Sequence, residues 1–294
     1  MSKTIRSARL AVEIADPGEA PNNTCRFDRT GFITQVTLDN THVFCSKEPD
    51  NLVHPSSGGV GLCNEFRCAA LADQVKPGMY YAKFGIGLFQ KPDDHPYIFY
   101  ARYECDPYQV DMVESDARIS YTIHEKACHG YALRHKKEVY VEENRLIVDT
   151  VVENVGDKKV VFDEYNHNFT TIDRLPMGAD YQLHLPSVMP LDKLKTEEPA
   201  STMVGRDNLV TFTGYCETAS GMIIPRRLIH QDRPFSWKLT HRESPASISE
   251  TVSFAPNQIV VWAVGHIVSP QVFLHEEILP GECAHWVRQW CFEA

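Results

Sequence analysis

The sequence lacks the segments typical of secreted, membrane-spanning and nucleic-acid-binding proteins. No window approaches eighteen uninterrupted apolar residues, and no apolar core of a signal peptide follows the basic first residues. Lys and Arg total 29 against 39 Asp and Glu, and the basic residues are scattered along the chain. Phosphate backbones are bound by clustered Lys and Arg. We therefore expect a cytoplasmic protein that uses no membrane and no nucleic-acid partner.

Metal-binding and disulfide patterns are also missing. The nine cysteines are an odd number at wide, irregular spacings, and no Cys-x-x-Cys pair occurs. The 13 histidines form no His-x-His or His-x-x-x-His pair. We expect free thiols that pack as small apolar side chains, with no metal and no cofactor.

Helical periodicity is nearly absent, whereas period-two alternation of apolar and polar residues recurs from end to end. The best helical candidate is short, near residues 65–71, and turn residues fall at intervals of about ten residues, as in antiparallel hairpins. Four clear alternating runs are residues 9–14, 108–113, 118–123 and 145–151. The pattern predicts half-buried strands and an all-β fold.

About twenty strands are too many for one open sheet, because twisted sheets of more than about ten strands curl or split into two layers. We therefore predict a large antiparallel two-sheet β-sandwich that forms a single domain over residues 1–294. The polar stretch 194–207 is interpreted as a long surface loop and not as a domain boundary, since a strand signal resumes at 209–212.

One motif carries a family resemblance. The run Val160–Phe169, with its Asn-His pair before an aromatic, is followed by the short strand 181–186, and this resembles the central motif of the aldose 1-epimerase (galactose mutarotase) superfamily. The Gly-rich loop 58–66, the strand pair 144–156 and the Leu-Pro-Gly-Glu segment 278–286 also resemble that superfamily in order and spacing. The match covers about residues 50–292 and is weaker over 1–50.

The resemblance implies a galactose mutarotase-like supersandwich that opens a sugar ring at the anomeric carbon, with a His as acid and a carboxylate as base. Two usual elements differ. No His-Gly-Gly segment follows the Gly-rich loop, and Gln271 occupies the position where a catalytic Glu is expected. An amide cannot accept a proton as a carboxylate does.

The catalytic candidates are His167, Asp163 and Glu65. Strand alternation places Asp163, Tyr165 and His167 on one face, where a carboxylate and a phenol could orient the imidazole. The other interpretation is a solvent-exposed polar face. Glu65 follows the Gly-rich loop and could serve as the replacement base.

The substrate-binding candidates come from three further segments and from the His167 strand itself. Trp262 could stack on a pyranose, or be an ordinary core residue, and an unbroken strand would place His266 on the same face. Lys83 could bind a sugar carboxylate, or be a solvated Lys. Asn166 points away from His167 in an ideal strand, which makes it a weak candidate. The complete set is Tyr165, Asn166, Lys83, Trp262, His266 and Gln271.

These patterns favour an aldose 1-epimerase-like isomerase whose partner is a small-molecule sugar or sugar acid. Two rivals stay open. A sugar lyase or another sugar isomerase could use the same concave site, and cations such as Lys83, Arg226 and Arg227 would favour it by neutralising an acid. A carbohydrate-binding protein without turnover is favoured by Gln271. The oligomeric state is not indicated by the sequence.

Overall fold

The structure, a computed structural model, describes residues 2–19, 25–50, 52, 54–186, 191, 202–229 and 234–294. Strands make up 54% of the structure and helical turns 4%. The all-β prediction is therefore confirmed. The helical turns include 3₁₀ segments at Ala69–Gln74 and Arg226–Leu228. The helix expected near 65–71 is largely wrong, because residues up to Arg67 belong to a strand.

The first sheet has nine described strands, numbered here in chain order. They are β1 (Lys3–Arg6), β2 (Leu10–Ala15), β3 (Phe32–Leu38), β4 (His42–Val43), β5 (Leu62–Arg67), β13 (Val160–Asn168), β17 (Ser220–Pro225), β20 (Gln258–Val264) and β21 (Ile267–Ile278). Their order is β1-β2-β3-β5-β13-β21-β20-β17, and β4 pairs with β3. All the paired neighbours are antiparallel, as predicted.

The second sheet has ten described strands. They are β9 (Gln109–Ser115), β10 (Arg118–His124), β11 (Leu133–Glu142), β12 (Arg145–Asn154), β14 (Tyr181–His184), β15 (Met203–Arg206), β16 (Leu209–Phe212), β18 (Phe235–His241), β19 (Ser247–Val252) and β22 (Cys283–Glu293). Their order is β15-β16-β14-β18-β19-β22-β12-β11-β10-β9. The loop predicted over 194–207 is wrong at 203–206, which form β15, and residues 194–201 lie outside the described residues.

A small third sheet joins β6 (Tyr80–Lys83), β7 (Gly87–Gln90) and β8 (Cys105–Pro107). Its apolar side chains pack with one end of the sandwich interior, where Phe66 and Phe162 of the first sheet meet Trp286 of the second. Because Phe162 lies in the interior, strand alternation places the other even-numbered side chains of β13 in the interior as well. The odd-numbered side chains, His167 among them, project from the outer face of the first sheet.

Strand β9 forms one edge of the second sheet and is open to solvent on both faces. Val113 is 73% exposed, and Gln109, Asp111 and Met112 are exposed as well. A contact with β1, at the edge of the first sheet, holds the two layers together here, since Lys3 pairs with Glu114 at 3.0 Å.

All nine cysteines are free thiols, in agreement with the sequence prediction. In the described parts of the chain, no helix is both long and apolar enough to cross a membrane.

Candidate active site

The candidate site lies on the outer face of the first sheet, where β5, β13 and β21 run side by side. Strand pairing places Tyr165 opposite Glu65 and His167 opposite Cys63. Gln271 of β21 reaches His167 from the other side. Three segments that are distant in sequence therefore converge on the His167 motif.

His167 is held at both ring nitrogens. Its Nδ1 lies 3.0 Å from Ser269 Oγ, and its Nε2 lies 3.4 Å from Gln271 Nε2, which also lies 3.3 Å from Ser269 Oγ. These distances fit an Nδ1–H that donates to Ser269 and an Nε2 that accepts from the Gln271 amide. The Nε2 contact is long, so this nitrogen is the one that a ligand hydroxyl can take over.

Aromatic rings surround the imidazole. Phe169 stacks on His167 with ring centroids 4.0 Å apart, and Trp262 stands edge-on at 5.5 Å. Gly59 is required beside them, because a Cβ there would lie 2.2 Å from the Phe169 ring. His167 is only 6% exposed. A ligand therefore reaches its Nε2 only by displacing covering side chains, among which Trp262 is half-buried.

A charged cluster lies next to this ring system. Arg26 donates from Nε to Glu65 Oε2 at 2.7 Å and from Nη2 to the Tyr165 hydroxyl at 2.8 Å. The Tyr165 hydroxyl also donates to Glu65. Lys83 Nζ lies 3.6 Å from Glu65 Oε1. The cluster thus holds two cations and one carboxylate around a neutral phenol, with a net charge of about +1.

The charges of the cluster fix its protonation. Burial alone would raise the pKa of Glu65, but Arg26, Lys83 and Tyr165 together hold it below its usual value. Burial raises the pKa of the Tyr165 phenol, and the Glu65 carboxylate adds to this effect, whereas Arg26 opposes it. At neutral pH, Glu65 is therefore ionised and Tyr165 keeps its proton.

Burial also determines the state of His167. It lowers the pKa of the imidazole well below 6.5, and the positive charge of Arg26 lowers it further. A role of His167 as an acid would need the protonated ring, which this environment disfavours.

Three sequence-predicted site residues are not brought to His167. Asp163 shares its face but lies four residues along the strand, about 13 Å away, and pairs with His275 at the surface. Asn166 points into the sandwich and donates to Asn168. The strand that was expected to carry both Trp262 and His266 ends at Val264, and His266 lies in the following turn, bonded to Ser46.

Lys83 belongs to the site in a different way from the one expected. Its side chain is 2% exposed and donates to the backbone of Phe66, so it is a buried partner of Glu65 and not a solvated Lys.

Two contributors were missed from the sequence. Arg26 lies in a loop before β3, within no motif, and nothing in the sequence indicates that this loop reaches β13. Ser269 could have been found, since it lies two residues before Gln271 and must share its face of β21.

A cleft of about 600 Å³ opens beside the cluster. Cys25, Ser57, Gly58 and Tyr100 contribute to its wall, and Arg26 donates to Ser57 Oγ at 3.1 Å. Ser57 therefore connects the wall of this cleft to the Arg26 guanidinium.

Known structures share this architecture. A galactose mutarotase related enzyme from Lactobacillus acidophilus matches with a TM-score of 0.62 and 12% identity, covering 100% of this chain and 98% of the other. A galactose mutarotase-like protein from Lactobacillus casei matches with a TM-score of 0.59 and 11% identity, covering 100% of both chains. This chain has the galactose mutarotase-like fold.

A candidate aldose 1-epimerase from Escherichia coli K12 has the same galactose mutarotase-like fold, at a TM-score of 0.60 and 10% identity over 100% of this chain and 99% of that one. No protein-family model matches the sequence. No curated protein matches it either. The similarity therefore establishes the fold, and the chemistry depends on the site itself.

Proposed function

We propose that this chain is a sugar isomerase of the aldose 1-epimerase type, which interconverts the two anomers of an aldose or a sugar acid. The observation that carries the proposal is the juxtaposition of a neutral His167, whose Nε2 is only weakly engaged, with a phenol that Arg26 contacts directly. Base and proton donor project from the same face of one strand, two residues apart. Trp262, which is half-buried, supplies an apolar ring face suited to a pyranose.

Ring opening needs one proton to leave the anomeric hydroxyl and one to reach the ring oxygen. His167 Nε2 takes the hydroxyl proton as the bond from the anomeric carbon to the ring oxygen breaks, and Tyr165 gives its proton to that oxygen. The product is the open-chain aldehyde. Rotation about the adjacent carbon bond, followed by the reverse transfers, closes the ring in the other configuration and restores both side chains.

For this transfer, the Tyr165 hydroxyl turns from Glu65 to the sugar. Burial and Glu65 oppose the transfer, and Arg26 favours it. Before it, Arg26, Lys83 and Glu65 sum to about +1, and the phenolate left on Tyr165 brings the cluster to about zero. Glu65 therefore acts by orienting Arg26 and Tyr165. The sequence-based expectation of a carboxylate base is replaced here by His167 itself.

The function is tested by polarimetry. We expect the protein to accelerate the approach to constant optical rotation for at least one sugar in a panel of freshly dissolved aldoses and uronic acids. His167→Ala serves as the matched control. Saturable binding by calorimetry without any acceleration would contradict the proposal and support a binding protein, the alternative that Gln271 favours.

The lyase alternative gains no support from Lys83 and Arg226, two of the three cations that were to favour it. Lys83 is committed to Glu65, and Arg226 donates to the backbone oxygen of Ile229 at 2.6 Å. If the protein is not a lyase, incubation with uronates should produce no new absorbance in the unsaturated-uronate band.

The pH dependence follows from the lowered pKa of His167. The base is available above that pKa, so kcat/KM should stay level from about pH 6 to 8 and decline only as the pH falls towards the lowered value. An ordinary His base would show an inflection near 6.5. Rates corrected for spontaneous mutarotation would show this, and an inflection near 6.5 would contradict it. In Gln271→Glu, a carboxylate beside the ring should raise the pKa and move the decline to higher pH.

A further inference from the structure

A second polar cluster lies inside the sandwich, directly behind the candidate site. Arg288 of β22 donates to Glu164 Oε2 at 2.6 Å and to Glu250 Oε1 at 2.9 Å. Asn168 donates to Glu250 Oε2 at 3.1 Å. All four side chains are at most 2% exposed. This interior network joins the strand that carries His167 to the opposite sheet.

The network replaces backbone pairing at the site. Register pairs between β13 and β21 run from Val160↔Ile278 to Glu164↔Leu274, and pairing resumes at Thr170↔Val268. The same register places His167 opposite Gln271 within the unpaired interval.

Two backbone oxygens of β21 in this interval are bound by the network instead. The Val272 oxygen accepts from Arg288 at 2.9 Å, and the Pro270 oxygen accepts from Asn168 at 2.6 Å. These two residues flank Gln271. The spacing of the two strands at the site is therefore set by side chains that reach through from the interior.

Network and site residues alternate along the strands. On β13, Tyr165 and His167 face the site, while the residues between and beside them face the network, and β5 repeats the arrangement with Asn64 next to Glu65. A shift of Glu164 or Asn168 thus moves a site residue that is covalently next to it, Tyr165 or His167 respectively.

We propose that Arg288, with Glu164, Glu250 and Asn168, positions the site by fixing the spacing of β13 and β21, so that His167 Nε2 stays opposite Gln271 and only weakly bonded to it. Stability alone does not require these groups, because buried ion clusters can often be replaced by uncharged residues of similar volume without loss. The proposal deepens the proposed function, since it concerns the same imidazole, but its test needs no sugar.

The test is the state of the His167 ring in the triple variant Glu164→Gln/Glu250→Gln/Arg288→Met, which removes the three buried charges together. Nitrogen-15 NMR of labelled histidine reports the tautomer and the pKa of each ring, and His167→Ala identifies the signals of His167. In the unaltered protein we expect one tautomer, neutral well below pH 6.5. In the folded triple variant, we expect the two nitrogen shifts to converge and the pKa to move towards 6.5.

Ile248→Ala is the matched control. Ile248 is fully buried in β19, two residues from Glu250, and its truncation weakens the same strand without touching the network. A purely structural role predicts unchanged His167 signals in both variants once they are folded. A folded triple variant with the His167 signals and pKa of the unaltered protein would overturn the proposal.

Asn168→Ala provides a second variant that removes no charge. It breaks the bonds to Pro270 and Glu250 and should shift the His167 nitrogen signals in the same direction. If the triple variant does not fold, Asn168→Ala decides instead, and unchanged His167 signals and pKa in that folded variant would overturn the proposal. If sugar turnover is absent from the unaltered protein but the ring responds as expected, the proposed function fails while the positioning role stands.

Discussion

Replacing His167 with alanine should reduce sugar turnover about 10²–10⁴-fold, the usual contribution of one general base. The substitution removes the only ring nitrogen that we assign to proton acceptance, and Gln271 cannot take over because an amide is not basic at neutral pH. Polarimetric rates at saturating sugar measure the loss. KM should change less than kcat, since the aromatic walls remain.

His275→Ala is the appropriate control for that experiment. His275 is also a histidine on the outer face of the first sheet, on β21, but its side chain is 42% exposed and pairs with Asp163. Its replacement should leave turnover within about twofold of the unaltered rate. Full activity in a natively folded His167→Ala protein would show that the site has been assigned to the wrong residues.

Replacing Glu65 with glutamine should lower the free energy of unfolding by about 3–5 kcal/mol, because it leaves Arg26 and Lys83 as buried cations without their carboxylate. The Glu65 side chain is 6% exposed, and those of Arg26 and Lys83 are 12% and 2% exposed, so water screens the cluster little. Denaturant unfolding measures the change. Turnover should fall as well, by about 100-fold, because Tyr165 loses its orientation.

Asp163→Asn tests whether the loss of any carboxylate on this sheet face would lower the free energy of unfolding as much as Glu65→Gln does. Asp163 also pairs with a cationic partner when His275 is protonated, but the pair is largely exposed and should contribute less than about 1 kcal/mol. Equal stability losses in Asp163→Asn and Glu65→Gln would contradict the buried cluster as the source.

The sequence was sufficient for the architecture because one face of nearly every strand is buried. Alternation along 118–123 is a direct record of that burial, and the same period-two rule correctly placed Tyr165 and His167 on one face. It also correctly separated Asn166 from His167.

The chemistry of the site could not be obtained in the same way. The role of His167 depends on how deeply the ring is buried and on Arg26, which arrives from a loop about 140 residues away in the chain. Alternation states which face a side chain is on, but not how far along the strand a partner lies. This is why Asp163 was predicted as a partner of His167 although Tyr165 and the Glu65 cluster lie between them.

Strand β9 governs how the protein behaves in concentrated solution. Its unpaired backbone groups offer a template on which another copy could add a strand. Asp111 and Glu114 on this edge, with Asp116 next to it, are opposed by one lysine, Lys3, in a chain of net charge −10, so copies that approach edge to edge repel one another. The net negative charge that adds to this repulsion falls to zero at the isoelectric point of about 5.7. We therefore expect colloidal stability to be greatest above neutrality and at low salt, and this edge to become open to strand addition when either condition is lost.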